Sequence, residues 1–131
     1  MSAKANIPPP LHELETEVMD GVWDSGRDEV TVREMMEALN KRTKSPRAYT
    51  TYMTIMRRLD SKGLLTRRRE GKTDIYRPVY SREEYADLRA QAGVHQLVEQ
   101  YGEVALGHFA RQMAELDPER RRQLQRLARK N

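Results

Sequence analysis

The chain contains no cysteine among its 131 residues, which excludes disulfide bonds, thiol nucleophiles, zinc fingers and iron–sulfur clusters. Long hydrophobic runs are missing too, because the longest stretch without a charged residue is nine residues, at 48–56 and again at 90–98. A membrane-spanning helix needs about 20 apolar residues, so we do not expect this chain to be a membrane protein. The first ten residues, MSAKANIPPP, lack the apolar segment of a secretory signal, which favours a cytoplasmic protein.

Patterns typical of enzymes are also missing. His12, His95 and His108 are scattered, and no metal-ligand or catalytic-triad spacing connects them. His12 precedes Glu13, but a metalloprotease helix would need a second histidine where Thr16 stands. The glycines form no phosphate-binding loop. We therefore expect that the chain is not an enzyme and that it has no catalytic residue, metal site or cofactor.

What the sequence does contain is charge of both signs, sorted along the chain. Residues 11–40 hold nine acidic and two basic residues, whereas residues 41–77 hold twelve basic and three acidic ones. The overall charge of +4 hides this contrast. A strongly basic block beside an acidic one favours a surface that meets a polyanion, with the acidic surface turned away. The alternative is a solvated face whose cations pair internally with the acidic block.

Three helices are predicted in the N-terminal part of the chain. The first begins at Leu11, where apolar residues start to recur at helical spacing. A capping box, Thr31-x-x-Glu34, starts the second helix. The third helix spans residues 49–62 and is followed by Gly63, at the position that favours a left-handed backbone.

The third helix has two contrasting faces when its residues are placed at about 100° per step. One face is apolar and is predicted to pack inward: Tyr52, Ile55, Met56 and Leu59. The other face is rich in hydroxyl groups and cations: Thr50, Thr51, Thr54, Arg57, Arg58 and Ser61. Residues 64–70 and 74–80 then predict a β-hairpin around Gly71-Lys72, in which Pro78 fits only an edge or a strand end.

Residues 81–131 predict three more helices, which gives a mainly α fold with one small β-hairpin. A second capping box opens a long helix at Ser81, and Asp117-Pro118 marks the start of the last helix. These residues have too few apolar groups to close a core alone, so a partner surface is implied, and a second copy of the chain is the simplest partner. The candidate dimer contacts are Leu88, Leu97, Val98, Leu106, Phe109, Ala110, Met113, Leu124 and Leu127.

The outer face of the third helix has the chemistry that base recognition requires. Threonines can contact base edges and thymine methyl groups, and Arg58 can reach a guanine or the DNA backbone. Cations on the hairpin suit phosphate or minor-groove contacts, which set position rather than sequence. The candidate contacts with double-stranded DNA are Tyr49, Thr50, Thr51, Thr54, Arg57, Arg58, Arg67, Arg69 and Lys72. The acidic first helix is expected to lie away from the DNA.

Four segments resemble the penicillinase-repressor family of bacterial winged-helix repressors. They are ELETEVMDGVW (13–23), TVREMMEALN (31–40), AYTTYMTIMRRLDSKGLL (48–65) and REGKTDIYRPVYSREEY (69–85). The resemblance implies homodimers that bind palindromic operators, with a winged helix-turn-helix DNA-binding domain over 11–80 and a helical dimerisation domain over 81–131. The third helix would be the recognition helix, and residues 64–80 would be the wing. The proline-containing residues 1–10 are expected to be a flexible lead-in.

The resemblance further implies control of β-lactamase, other antibiotic-resistance or cell-envelope genes. In the family, a membrane sensor-protease cleaves the repressor before a phenylalanine in the dimerisation domain. The segment VALGHFAR (104–111) is similar to that site, so His108–Phe109 is the candidate bond and a sensor-linked protease a candidate partner. The family's usual residue before this phenylalanine is asparagine, whereas this chain has His108.

Two other functions remain open at this point. The first is a winged-helix protein-interaction module whose basic face docks an acidic partner. The second is a winged helix that binds structured RNA. Binding to a specific duplex in the presence of excess non-specific DNA would separate both from a DNA-binding repressor.

Overall fold

The structure, a computed structural model, describes residues 7–129 of the chain. Its elements in chain order are α1 (Glu13–Asp24), α2 (Val32–Asn40), α3 (Tyr49–Ser61), β1 (Leu65–Glu70), β2 (Thr73–Pro78), α4 (Arg82–Tyr101), α5 (Glu103–Ala114) and α6 (Pro118–Arg129). The expectation of a mainly α chain with one β-hairpin is confirmed. Within residues 7–129, none of the helices combines the length and the apolar character that crossing a membrane requires.

The chain divides into two compact units after Ala90, inside α4. The sequence places a boundary earlier, at residue 80, where the hairpin ends. The difference has a packing cause, since Tyr85 and Leu88 near the start of α4 pack against the core of the first unit. Leu88, a candidate dimer contact by sequence, therefore has a structural role within the first unit.

Capping boxes start two of the helices where the sequence predicts them. At α2, the Thr31 N–H donates to Glu34 Oε1 at 2.8 Å and the Glu34 N–H donates to Thr31 Oγ1 at 3.2 Å. Ser81 and Glu84 form the same reciprocal pair before α4, at 2.9 and 3.0 Å. Each pair satisfies backbone donors that a helix N-terminus would otherwise leave without partners.

The first unit is built on one hydrophobic core between α1, α2, α3 and the hairpin. The four apolar residues of α3 that are predicted to face inward are all buried: Tyr52, Ile55, Met56 and Leu59. They meet other buried residues from the surrounding elements, namely Val18, Met19, Val22, Val30, Val32, Met35, Leu64, Leu65, Tyr76 and Tyr80. The orientation of α3 is therefore fixed by its apolar face.

A buried ion pair joins the start of α1 to the end of α3. Glu15 has no exposed surface, and its Oε1 accepts hydrogen bonds from Lys62 Nζ at 2.7 Å and from the His12 N–H at 2.9 Å. With His12 as its N-cap, α1 begins at Glu13, slightly later than the sequence predicts. Lys62 caps the C-terminus of α3, and Gly63 follows it with a φ of 83°, the left-handed conformation predicted there.

The hairpin of β1 and β2 is antiparallel and is held at one edge by a third segment. Gly71 lies in its turn with a φ of 63°, and Pro78 ends β2, as the sequence predicts. Val30, just before α2, pairs with Tyr76: the Val30 N–H donates to Tyr76 O at 2.9 Å and the Tyr76 N–H donates to Val30 O at 2.8 Å. The hairpin is therefore anchored to the helices through its backbone as well as through its side chains.

Residues 8 and 9 are fastened to α4. The Tyr85 hydroxyl donates to Pro9 O at 3.3 Å, and Arg89 Nη1 donates to Pro8 O at 3.2 Å. Pro8 is also buried. Of the flexible lead-in that the sequence predicts, residues 1–6 lie outside the described residues, whereas Pro8 and Pro9 have these fixed contacts because two long side chains of α4 reach their carbonyl groups.

The second unit comprises the end of α4 together with α5 and α6. Among its described residues, Ala105 is the one buried hydrophobic residue. Arg121 closes the end of α5 by donating to the carbonyl oxygens of Met113, Ala114 and Leu116, at 3.1, 3.2 and 2.9 Å. Asp117 caps α6, as predicted, because its Oδ1 accepts the Arg120 N–H at 2.8 Å.

Candidate nucleic-acid interface

The outer face of α3 is open to solvent. Thr50, Thr54, Arg57 and Arg58 are exposed and Thr51 is half-buried. Since the opposite face of the same helix is fully inside the core, this face cannot rotate inward without exposing that core. The structure therefore brings short hydroxyl-bearing side chains and two arginines together on one outward ridge.

Tyr49 begins α3 beside a cation from α2. Tyr49 is 42% exposed, and the Arg33 guanidinium lies 5.8 Å from the centroid of its ring, within the range of a cation–π contact. Arg33 is a neighbour of a candidate contact residue that the sequence reasoning missed. The helical spacing of α2 places it on that helix's polar face, but nothing local indicates its contact with Tyr49.

Asn40 fixes the basic connector between α2 and α3. Its Nδ2 donates to Arg47 O at 3.0 Å, and its Oδ1 accepts the Arg47 N–H at 3.0 Å and the Tyr52 hydroxyl at 2.8 Å. One amide thus holds the loop that leads into α3 and a buried residue of α3 itself. The sequence reasoning missed Asn40, because an asparagine that ends a helix is common and gives no sign of distant partners.

The two faces of the hairpin carry different arginines. The register pairs Arg67 with Tyr76 and Arg69 with Asp74, so these four residues share one face. Arg68, paired with Ile75, lies on the other face. Side chains on the first face meet α3, where Arg57 Nη2 lies 3.7 Å from Asp74 Oδ2.

The second face of the hairpin pairs with the loop before α2. Arg68 donates from Nε and Nη2 to the two carboxylate oxygens of Glu29, at 3.1 and 3.0 Å, and its Nη1 lies 2.7 Å from Glu70 Oε2. The hydrogen bond from Arg68 is the main reason that the pKa of Glu29 lies below its ordinary value. Arg77 Nε is 4.0 Å from the same carboxylate. This face is therefore largely neutralised.

Further cations of the basic block pair with α1. Arg42 lies 3.7 Å from Asp24 Oδ2, and Arg47 lies 3.2 Å from Glu17 Oε2. The internal pairing that the sequence left as an alternative therefore applies to part of the block. Within residues 7–129, four cations of the block have no ion pair: Lys41, Lys44, Arg58 and Lys72. Arg58 on α3 and Lys72 at the hairpin turn are thus the predicted contact residues with uncompensated charge.

The histidines and acidic side chains are also the residues that a metal site in this chain would require. Residues 7–129 contain no group of three or more histidine, aspartate or glutamate side chains that could hold a metal ion. His95 lies on the exposed surface of α4, 3.7 Å from Glu99.

The second unit presents an apolar groove of its own. The groove is lined by Leu97, Tyr101, Val104, Ala105, His108 and Phe109. Of the candidate dimer contacts, Leu97, Leu106, Ala110 and Leu127 are exposed, whereas Val98, Phe109, Met113 and Leu124 are half-buried. Tyr101 and Val104 also line this groove and are exposed, but they were not among the candidates, although Tyr101 lies four residues after Leu97, at helical spacing.

The first unit, with two helices and a turn leading to α3 and an antiparallel hairpin after it, is a winged helix-turn-helix, as the sequence predicts. The sequence profile of the penicillinase repressor family matches residues 11–130. The chain therefore belongs to the penicillinase repressor family, which consists of transcriptional repressors rather than enzymes. In a winged helix-turn-helix, the helix in the position of α3 is termed the recognition helix and the hairpin is termed the wing.

A curated relative agrees with this assignment. The transcriptional regulator BlaI of Mycobacterium tuberculosis, in the CDC 1551 and H37Rv strains alike, is 42% identical over 74 residues, which are 56% of this chain and 51% of the regulator. The chain thus spans about half the length of the curated relatives it matches.

Two solved structures of BlaI proteins are similar to this chain. One is a solution structure of the DNA-binding domain of the repressor BlaI, with 28% identity and a TM-score of 0.49. The other is Bacillus licheniformis BlaI in monomeric form in complex with the blaP half-operator, with 29% identity and a TM-score of 0.47. Each similarity covers 61% of this chain and 92% of the other.

Proposed function

We propose that this chain is a sequence-specific DNA-binding repressor that binds palindromic operators as a homodimer. The observation that carries the proposal is the recognition helix, whose apolar face is buried and whose opposite face exposes threonines and arginines. A helix can enter the major groove of B-DNA, where small hydrogen-bonding side chains and arginine read base edges.

The charge distribution supports different roles for the recognition helix, which would contact bases, and the wing, which would contact phosphates. Thr50, Thr51 and Thr54 would contact base edges, with Arg58 on a guanine. Lys72 projects from the wing turn without an ion pair in the described residues, which suits it to a DNA phosphate. Contacts of this second kind add affinity for every sequence and position the protein.

The exposed apolar side chains of the second unit support dimerisation. Val104 is 67% exposed, Leu127 is 63% exposed and Tyr101 is 55% exposed. A second copy would cover these residues, and a two-fold dimer matches the symmetry of a palindromic operator. We infer that the dimer works in the cytoplasm, on β-lactamase, other antibiotic-resistance or cell-envelope genes.

Derepression would follow from cutting the second unit. The candidate His108–Phe109 bond lies in the middle of α5, so the helix must open before a sensor-linked protease can reach it. Severing the dimer contacts would uncouple the two half-sites, and the avidity of linked binding would be lost.

The experiment that tests the proposal starts from a pool of random duplexes. The wild-type chain should enrich one palindromic sequence, and its affinity should fall by roughly 10³–10⁵ between about 50 and 200 mM salt if six to ten phosphates are contacted. Arg58→Ala should then lose about 1–3 kcal/mol of discrimination between that sequence and a scrambled duplex.

Lys72→Ala is the matched control for Arg58→Ala. Both substitutions remove one cation that has no ion pair in the described residues, but Lys72 lies on the wing and should weaken binding to both duplexes alike. An Arg58 variant with unchanged discrimination would show that the reading face is assigned wrongly. Failure of the wild type to enrich any sequence at low salt would instead favour an acidic protein or a structured RNA as the partner.

A further inference from the structure

One carboxylate lies at the centre of the positive surface that the recognition helix and the wing form together. Asp74 Oδ1 is 3.2 Å from Arg69 Nη1, and Asp74 Oδ2 is 3.6 Å from Arg67 Nη1 and 3.7 Å from Arg57 Nη2. The Asp74 side chain is only 11% exposed, whereas that of Arg69 is 61% exposed. Three arginines thus cover one acidic group.

The fold accounts for this convergence. Asp74 is the cross-strand partner of Arg69, and Arg67 lies two residues before Arg69 on the same face of β1. Arg57 reaches this face from the recognition helix, and Asp60, one turn after it, lies 3.5 Å from Arg67 Nε. The cluster therefore connects the recognition helix to the wing through side chains from both.

Guanidinium groups are charged at every physiological pH and offer several fixed donors each. Three of them in one place repel one another, and each is drawn to any anionic oxygen nearby. The Asp74 carboxylate attracts all three, and because it is largely buried its pairs are screened less than pairs in open solvent. Asp74 therefore holds the arginines of two elements in one arrangement and withholds part of their charge from other anions.

We propose that Asp74 is a specificity-determining positioning residue, which limits the attraction of Arg57, Arg67 and Arg69 to arbitrary DNA phosphates. This inference rests on the proposed DNA-binding function. Specificity is the difference between binding the operator and binding other DNA, so Asp74 raises it by weakening the second more than the first. On the operator the recognition helix would set the register while the three arginines stay with Asp74, whereas on other DNA arginines without that restraint would move to the nearest phosphates. Asp74 would touch no base and would act through the arginines that it holds.

Asp74→Asn tests the proposal, and Glu70→Gln is its matched control. Both substitutions remove one negative charge from the wing. Glu70, however, is 67% exposed on the opposite face of the hairpin and pairs with Arg68. A mere change of net charge would affect DNA binding equally in the two variants, whereas release of the three arginines would occur in Asp74→Asn alone.

Binding is measured with the full chain on two duplexes of equal length, the sequence enriched by the wild type and a scrambled version, over about 50 to 200 mM salt. For Asp74→Asn we expect tighter binding to the scrambled duplex, a steeper salt dependence by about one phosphate contact or more, and a roughly tenfold loss of discrimination. Glu70→Gln should tighten both duplexes by the same factor and keep discrimination within about twofold of the wild type.

Asp74→Glu keeps the charge but moves the carboxylate by one methylene, so its discrimination should fall between those of the wild type and Asp74→Asn. This variant also serves if Asp74→Asn does not fold. Equal changes in discrimination for Asp74→Asn and Glu70→Gln would overturn the role of Asp74 while leaving the proposed function intact. A wild type that does not distinguish the two duplexes would overturn both.

Discussion

The two units of the chain differ in how far their apolar side chains are buried. In the first unit, Tyr52, Met56 and Leu59 have no exposed surface, whereas in the second Val104 is 67% exposed and Leu127 is 63% exposed. The first unit closes a core of its own, and the second leaves its apolar residues available to another surface. Only 37% of the residues in the chain are hydrophobic. The unit that carries the proposed DNA contacts is thus the one that has a closed core of its own.

Of the substitutions that test this contrast, we expect the largest effect on stability from one that shortens a buried side chain in the core of the first unit. Leu59→Ala should lower the free energy of unfolding by about 2–5 kcal/mol, because it removes a fully buried side chain and leaves a cavity. Urea denaturation at two protein concentrations measures it, and the loss should be the same at both. A loss that changes with protein concentration would mean that the first unit depends on a partner.

The buried ion pair offers the next largest effect. Burial alone would raise the pKa of the Glu15 carboxyl, but the His12 N–H and the Lys62 ammonium outweigh burial and hold that pKa below its ordinary value of 4.5. Glu15 therefore stabilises the fold above about pH 4.5, and this stability is lost as the pH falls through the lower pKa of the folded state. Lys62→Met leaves a buried carboxylate without its cation and should cost about 3 kcal/mol at neutral pH.

Urea denaturation between pH 3 and 7 checks the expected role of Glu15. The stability of the Lys62→Met variant should depend less steeply on pH near and below the ordinary glutamate range than that of the wild type. Arg42→Met is the control, since its partner Asp24 is exposed and the stability should barely change. Parallel pH curves for Lys62→Met and the wild type would contradict the role given to this pair.

A third substitution sharpens the contrast from the side of the second unit. Val104→Ser should barely change the folding of one chain, because Val104 is 67% exposed, but should weaken self-association by about 1–2 kcal/mol. Sedimentation equilibrium over a range of concentrations measures this shift. An unchanged dissociation constant would remove Val104 from the proposed dimer surface.

The smallest expected effect concerns a helix start. Thr31→Ala removes the side chain that caps α2 and should cost about 1 kcal/mol, which thermal unfolding can detect. Thr31→Ser keeps the hydroxyl and is the matched control, with stability close to that of the wild type. Equal losses in both variants would show that the methyl group matters rather than the cap.

Local signals in the sequence predict most of the fold of this chain. The capping boxes at Thr31 and Ser81, the inward face of α3 and the turn of the hairpin all depend on residues a few positions apart. Contacts between distant residues could not be predicted in this way. Arg68 and Glu29 are 39 residues apart, and Tyr85 and Pro9 are 76 residues apart, so only the folded chain brings them together.

The candidate interface follows the same rule. Helical spacing places the threonines and arginines of α3 on one face, and the structure confirms that this face is exposed. The pairing of Arg57, Arg67 and Arg69 with Asp74 was not predictable, because a charge count along the sequence does not show which cations an acidic residue will reach.

The open edge of β1 has a consequence for how copies of this protein behave at high concentration. β2 is flanked by Val30, but β1 pairs with β2 alone among the described strands, so its outer edge has no strand partner there. An unprotected strand edge invites a strand from another molecule, and charged side chains are a common defence. The positive charges of Arg67, Arg68 and Arg69 should therefore also oppose edge-to-edge aggregation. Variants that lack these charges should precipitate more readily.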